Sequence, residues 1–396
     1  MRAIRILQDK LEGSLGFMHA KQRAALWRVV EGLLNSQKLC LTALGRGLPG
    51  DCVVKHRIKA VDRFVGSAAI QASIPRVYEA IANLLLGSTE RPVLLIDWTG
   101  AAPGFFTLSA KIAFSGRAVS ILSRTYPESK KSNVKVERAF LDELKQILPA
   151  HCRPVLVTDA GFFFRWVDSV KAYAWDYIAR VRYKKMRLNI GGRWMTLGDV
   201  YKLATRTPRN FPATTVGQAN PRTHRAVLSA KPKLAGRTRL GRKGKPLTGS
   251  SAGTSRAAAR EPLLLITSLS EPAPFVVKVY RLRMQIEETF RDLKSYRYGW
   301  SARLIRSAQL ARFDVLYMIA AIAAVAMHML GLAARGSCHA RGLQANTERH
   351  RHVFSTFFLG KLVMKQGLYP KLLTAELKAG LTELVAGLQS ADRIPS

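Results

Sequence analysis

The sequence predicts an α/β fold, a mixed sheet with helices on its faces, preceded by a helical region. Three observations carry this. The short apolar runs PVLLID (92–97) and PVLVTD (154–159) have the length and branching of buried strands. An amphipathic helical pattern follows PVLVTD directly and follows PVLLID after a hairpin, which is how helices come to cover a sheet. Helical periodicity also dominates residues 17–90 and everything after 275.

In order along the chain, FMHAKQRAALWRVVEGLLNS reads as one amphipathic helix, and Leu48-Pro49-Gly50 as a breaker. CVVKHRIKAVDRFVGS reads as the next, with Val54, Ile58, Val61 and Val65 as its apolar stripe. Lys55, His56, Lys59 and Arg63 are left on its outer face. FFTLSAKIAF and RAVSILSRTY form a hairpin turning at Ser115-Gly116, NVKVERAFLDELKQILP is a helix, FFFRWVDSVKAY a short helix and AWDYIARVR a further strand. Antiparallel strands followed by alternating units indicate a mixed sheet. The expected segments are a helical region 1–90, a first sheet-bearing part 91–185, an insertion 186–265 with some strand character, a second sheet-associated part 266–340, and a helical carboxy-terminal region 341–396.

The charge balance is the strongest bulk signal. Lys and Arg number 63 against 26 Asp and Glu, a formal charge of +37. Such an excess attracts a polyanion, and nucleic acid is the expected partner. Residues 200–260 hold no acid and 14 Lys and Arg. Within them, KPKLAGRTRLGRKGKPLTGSSAGTS has loop composition, and its Arg239, Arg242 and Lys243 are candidates for tracking phosphates. Lys55, Lys59 and Arg63 make a candidate DNA-facing surface; a merely solvated basic face would read the same way. Cys40, Cys52, Cys152 and Cys338 lack metal-site spacing. The start shows no secretory signal, so a cytoplasmic, nucleoid-associated protein is expected. Val315 to Ala334 carries no charge and is long enough to span a bilayer, but alanine-rich and isolated; a buried helix covering the sheet is expected, and no membrane partner.

Asp97 and Asp159 end the two strand runs, where a carboxylate sits at a sheet rim open to a ligand. A third acid comes from YRLRMQIEETFRDLK (280–294). Val279, Leu282, Ile286, Phe290 and Leu293 form a helix stripe that packs on a core, and Tyr280, Arg283, Glu287, Arg291 and Lys294 form a second stripe beside it. Such a helix brings Glu287 to the sheet, where three carboxylates would suit Mg²⁺. Two ions could bracket a displacement at phosphorus. Arg283 and Lys294 fit phosphates, and Tyr280 a phosphate or a base. Solvent-exposed ion pairs such as Glu287 with Arg283 would produce the same pattern.

Tyr280, Arg283, Glu287 and Lys294 reproduce the Y-x2-R-x3-E-x6-K signature, and the chain resembles bacterial insertion-sequence transposases of the DDE type that move by cut and paste. LLIDWTG and VTDAGF resemble that family's first and second acidic motifs, and ETFRDLKS its third. LTALGRGLP with KHRIKAVDR resembles its amino-terminal DNA-binding region, and QANTERHRHVFST its carboxy-terminal segment. Within the family, the chain resembles the group of the tetracycline-resistance composite transposon's transposase.

The resemblance implies a ribonuclease-H-like mixed sheet with flanking helices, interrupted by a strand-rich insertion, plus a helical amino-terminal DNA-binding region. Asp97, Asp159 and Glu287 would be the catalytic acids and would hold two Mg²⁺ ions, for which Mn²⁺ could substitute. It further implies a homodimer on double-stranded DNA that cuts at terminal inverted repeats through a hairpin and joins the ends to target DNA. A nuclease that cuts without joining, and a DNA-binding protein that no longer catalyses, are the alternatives. Hairpin formation needs a flipped base stacked on an aromatic ring. The family uses a tryptophan upstream of the third motif; since none lies between Trp194 and Trp300, Trp98 and Trp194 are the candidates.

Overall fold

The structure is a computed structural model that describes residues 1–162, 164–183, 185–230, 261–337, 339–344, 350 and 352–390. The chain divides into two compact units, Met1–Val155 with Leu282–Ser396, and Leu156–Arg281.

In the first unit the helices Arg2–Leu11, Ala20–Ser36, Leu41–Gly47, Val54–Gly66 and Ala68–Leu86 precede the strands. The first of them precedes residues 17–90, over which the sequence shows helical periodicity. Helix Val54–Gly66 turns Val61, Phe64 and Val65 inward and leaves Lys55, His56, Lys59 and Arg63 exposed. Its expected stripe is corrected at one end. Val54 is exposed together with Val53, so the buried stripe begins further along the helix, at Val61.

Three antiparallel strands follow, β1 (Val93–Ala102), β2 (Phe105–Phe114) and β3 (Arg117–Pro127). Ser115 and Gly116 both take positive φ, 46° and 79°, the pair of left-handed residues that a two-residue hairpin turn needs to match the strand twist. Helix Val134–Ile147 starts at Asn133, whose Oδ1 accepts from the amides of Lys135 (3.0 Å) and Val136 (3.3 Å).

The long helix Leu310–Gly336 contains the stretch long and apolar enough to cross a membrane, but 94% of that window is buried inside the protein. It packs on β3, on Ala20–Ser36 and Ala68–Leu86, and on the helices Thr356–Lys365 and Thr374–Ser390. It is therefore a core helix, apolar all round because it has neighbours all round. A Cβ at Gly331 would overlap the Thr356 carbonyl, and one at Gly360 the Met327 carbonyl, so the crossing depends on the missing side chains. At its amino-terminal end Asp314 accepts from the Thr125 amide (2.8 Å) and pairs with Arg124 (3.3 Å), which ties the helix to β3.

The second unit, from Leu156, holds all but the first residue of β4 (Val155–Thr158), with β5 (Asp176–Arg180), β6 (Arg187–Ile190), β7 (Arg193–Thr196), β8 (Arg209–Val216), β9 (Arg222–Ser229) and β10 (Leu263–Thr267), in the sheet order β4-β5-β10-β9-β8-β6-β7. The strands expected in the insertion thus extend a sheet rather than form a separate excursion: β9 pairs with β10, which pairs with β5. Arg239, Arg242 and Lys243 lie outside the described residues, as does Cys338.

The helix expected across 280–294 is two helices. Ala273–Arg281 ends in the second unit, a turn occupies Leu282 and Arg283, and Met284–Lys294 begins the return to the first unit. The stripe of five polar residues is therefore interrupted after Tyr280, which is buried within its own helix.

Candidate active site

Leu94, Leu95 and Ile96 are wholly buried, and at Asp97 the strand comes to the surface, with that side chain 14% exposed. Asp97 and Thr99 are two residues apart, so they project from the same face of β1.

Helix Met284–Lys294 docks here because its faces are sorted. Ile286 and Phe290 are buried. The Thr289 hydroxyl accepts from the Ala118 amide (2.6 Å), and Asp292 forms an ion pair with Arg117. Both contacts are with β3, so the helix cannot slide or rotate without breaking one of them.

The opposite side of the helix faces the acid on β1. Arg283 is only 9% exposed. Its Nη1 lies 3.2 Å from Asp97 Oδ2, and its Nη2 donates to Glu287 Oε1. Glu287, with its side chain 43% exposed, stands in the first turn of the helix, where unpaired backbone amides favour a carboxylate. Lys294 donates to Thr99 Oγ1. Burial holds the Lys294 ammonium below its usual pKa, with Arg303 acting in the same direction and Asp97 against. Arg291 pairs with Glu288 (2.8 Å) in solvent.

In the second unit, Asp159 follows β4 as expected, and its Oδ1 accepts from the Gly161 amide (2.8 Å). It lines a groove of about 530 Å³ with Phe162, Phe164, Arg180, Arg182 and Tyr183. Arg180 and Arg182 both pair with Glu261 there (3.3 and 2.6 Å).

Of the two tryptophans considered for base stacking, Trp98 is already engaged. Its Nε1 donates to Glu137 Oε1 (3.2 Å), and its ring meets Tyr126 edge-on at 5.6 Å. Trp194 is partly exposed on β7, opposite Asn189.

Sequence reasoning missed Thr99, Thr289, Asp292, Arg117 and Glu137. Only Thr99 carried a legible signal, its two-residue step from Asp97. Arg283, read from sequence as a phosphate contact with its pair to Glu287 as the alternative, makes that pair and also reaches Asp97.

That bridging bears on metal binding. Asp97 and Glu287 are drawn to one cationic group, as two carboxylates are when a hard cation with oxygen ligands sits between them. Among the described residues no group of three His, Cys, Asp or Glu is placed to hold a metal. The donor chemistry of the pair fits a divalent ion, with the guanidinium standing in for its charge.

Asp97 does not end its strand as expected: β1 runs on to Ala102, and Asp97 pairs with Ser109 in its middle, because alternate side chains still face outward there. This mid-strand aspartate and a helical glutamate, gathered in a strongly basic α/β protein, define a carboxylate site suited to phosphodiester chemistry. The chain belongs to the transposase DDE domain family, whose model matches residues 88–324, more than half of the chain. No curated protein matches it. The protein is thus a transposase, a DNA-cutting and joining enzyme of a mobile element, acting in DNA transposition and recombination.

Proposed function

We propose that the protein cuts an insertion sequence at its terminal inverted repeats by two-metal phosphoryl transfer, through a hairpin intermediate, and joins it to target DNA as a homodimer. The observation that carries this reading is the joint hold of Arg283 on Asp97 and Glu287. The architecture would be ribonuclease-H-like, with the strands of 186–265 as its insertion, and the chain would group with the transposase of the tetracycline-resistance composite transposon.

Asp97 and Glu287, with Asp159 assigned by resemblance, would hold Mg²⁺, or Mn²⁺ in its place. When bound, the metal activates the attacking oxygen and stabilises the leaving one. Every other step belongs to the chain. Once the acids are neutralised, Arg283 loses its partners and turns its two-pronged donor face to a phosphate. Lys294, whose ammonium burial holds below its usual pKa, would donate to a phosphate, and the negative charge would offset that lowering. Tyr280 and Arg291 would contribute on either side. Lys55, Lys59 and Arg63 would bind the repeat from region 1–90, with Arg239, Arg242 and Lys243 of the insertion tracking the backbone. Trp98 or Trp194 would stack on the flipped base, and region 341–396 would contribute to the dimer.

The test is a labelled duplex carrying the repeat that flanks the gene, incubated with Mg²⁺ and wild type, Asp97→Ala, Asp159→Ala or Glu287→Ala. Nicks and hairpins from wild type alone, with joining to a second duplex, are expected. Cleavage without joining would leave a nuclease. Equal DNA binding by all four without cleavage would leave a silent binding protein.

A further inference from the structure

A second polar site lies inside the first unit, beneath the acid-bearing helix. Thr107, Ser109 and Lys111 recur at two-residue steps along β2, so they share one face of the strand, and that face is buried. Ala320, Ala321 and Ala324 of the long helix oppose them. Their short side chains leave a cavity of about 40 Å³, lined also by Ser120, Tyr317 and Trp300. That space exceeds what a single water needs, and its wall is polar.

The wall is oversupplied with donors. The Thr107 hydroxyl pairs with Thr125 (3.1 Å) and the Ser109 hydroxyl with Ser123 (2.9 Å). Lys111 Nζ donates to Ser120 Oγ, which uses one of its three N–H bonds. No carboxylate pairs with Lys111 among the described residues, because Asp292 in the same wall is taken by Arg117. Trp300 Nε1 is buried without a partner among the described residues. So is Tyr317 Oη, apart from a loose approach to Thr107, whose hydroxyl is already paired. His328 completes the wall, with Nδ1 committed to Thr356 (2.7 Å). Burial lowers the Lys111 ammonium from 10.5 to about 7, and with two orphan donors lining the same space an acceptor with negative charge would both pair with them and favour its protonated form.

We propose that this cavity binds one small monovalent anion, chloride in the cell, held by Lys111 Nζ with Trp300 Nε1 and Tyr317 Oη as further donors. The bound ion joins β2 to the long helix and to Trp300, whose amide is tied to Asp292 of the acid-bearing helix (2.9 Å).

The first test is thermal unfolding of the full, DNA-free chain in sodium chloride and in sodium gluconate at equal ionic strength, since gluconate is too large to enter. Wild type should melt about 3 °C higher in chloride, and Lys111→Met should abolish the difference. A chloride increment equal in both proteins would overturn the site. Should Lys111→Met not fold, wild-type crystals grown in bromide decide: an anomalous peak beside Lys111 Nζ supports the anion, and water alone in the cavity refutes it.

Discussion

The Arg283 guanidinium lies 3.2 Å from the Asp97 carboxylate and reaches Glu287 with its other nitrogen. Two partly buried acids on separate elements repel one another unless a cation sits between them. Arg283→Gln should therefore lower the stability of the metal-free protein by about 1–3 kcal/mol. It should also enlarge the rise in Tm produced by Mg²⁺, because the ion no longer competes with a guanidinium. Melting curves with and without Mg²⁺ check both; an unchanged Mg²⁺ increment would remove Arg283 as the competitor.

The helix bearing Glu287 is fastened to β3 by Asp292 with Arg117 and by Thr289 with the Ala118 amide. Asp292→Ala leaves a half-buried guanidinium unpaired and should cost about 3 kcal/mol. Thr289→Val leaves one amide without an acceptor and should cost about 1–2 kcal/mol. Denaturant unfolding measures both costs, and losses under 0.5 kcal/mol, roughly the effect of an ordinary surface substitution, would show that the helix is held by its apolar face alone.

Glu137 is 2% exposed, and burial raises its carboxyl from 4.5 to about 7, with the Trp98 hydrogen bond pulling the other way. The unfolded chain ionises first as pH rises. Folding stability from this group is thus complete below about pH 4.5, is lost progressively up to about pH 7, and is level above that. The total is of the order of 3 kcal/mol. Glu137→Gln should flatten this part of the pH–stability profile, and a profile identical to wild type would contradict the assignment.

The long helix crosses Thr356–Lys365 at Gly331 and Gly360, where an added methyl meets main-chain carbonyls that cannot rotate away. Gly360→Ala should cost about 1–3 kcal/mol through overpacking, although alanine is the better helix former. A stabilised variant, read from the same unfolding curves, would show that the two helices can separate at no cost.

Much of this was legible along the chain. The runs ending in Asp97 and Asp159, the Ser115-Gly116 turn and the apolar helix 310–336 follow from hydrophobic period and turn chemistry, which act over a few residues. The polar alternation of Thr107, Ser109 and Lys111 would by itself suggest a face in solvent, yet the long helix covers it. The break at Leu282-Arg283 was hidden because the apolar spacing continues through it unaltered.

By itself the sequence determined the candidate acids, the strand or helix type of the segments around them and the basic character that suits a polyanion, since each is set by residue type and short-range spacing. Tertiary structure alone decided that Arg283 joins Asp97, 186 residues away, and that Arg117 anchors the acid-bearing helix from 175 residues away. Such pairings depend on which faces meet when the core closes, and burial is what turns a loose surface charge into a fixed contact.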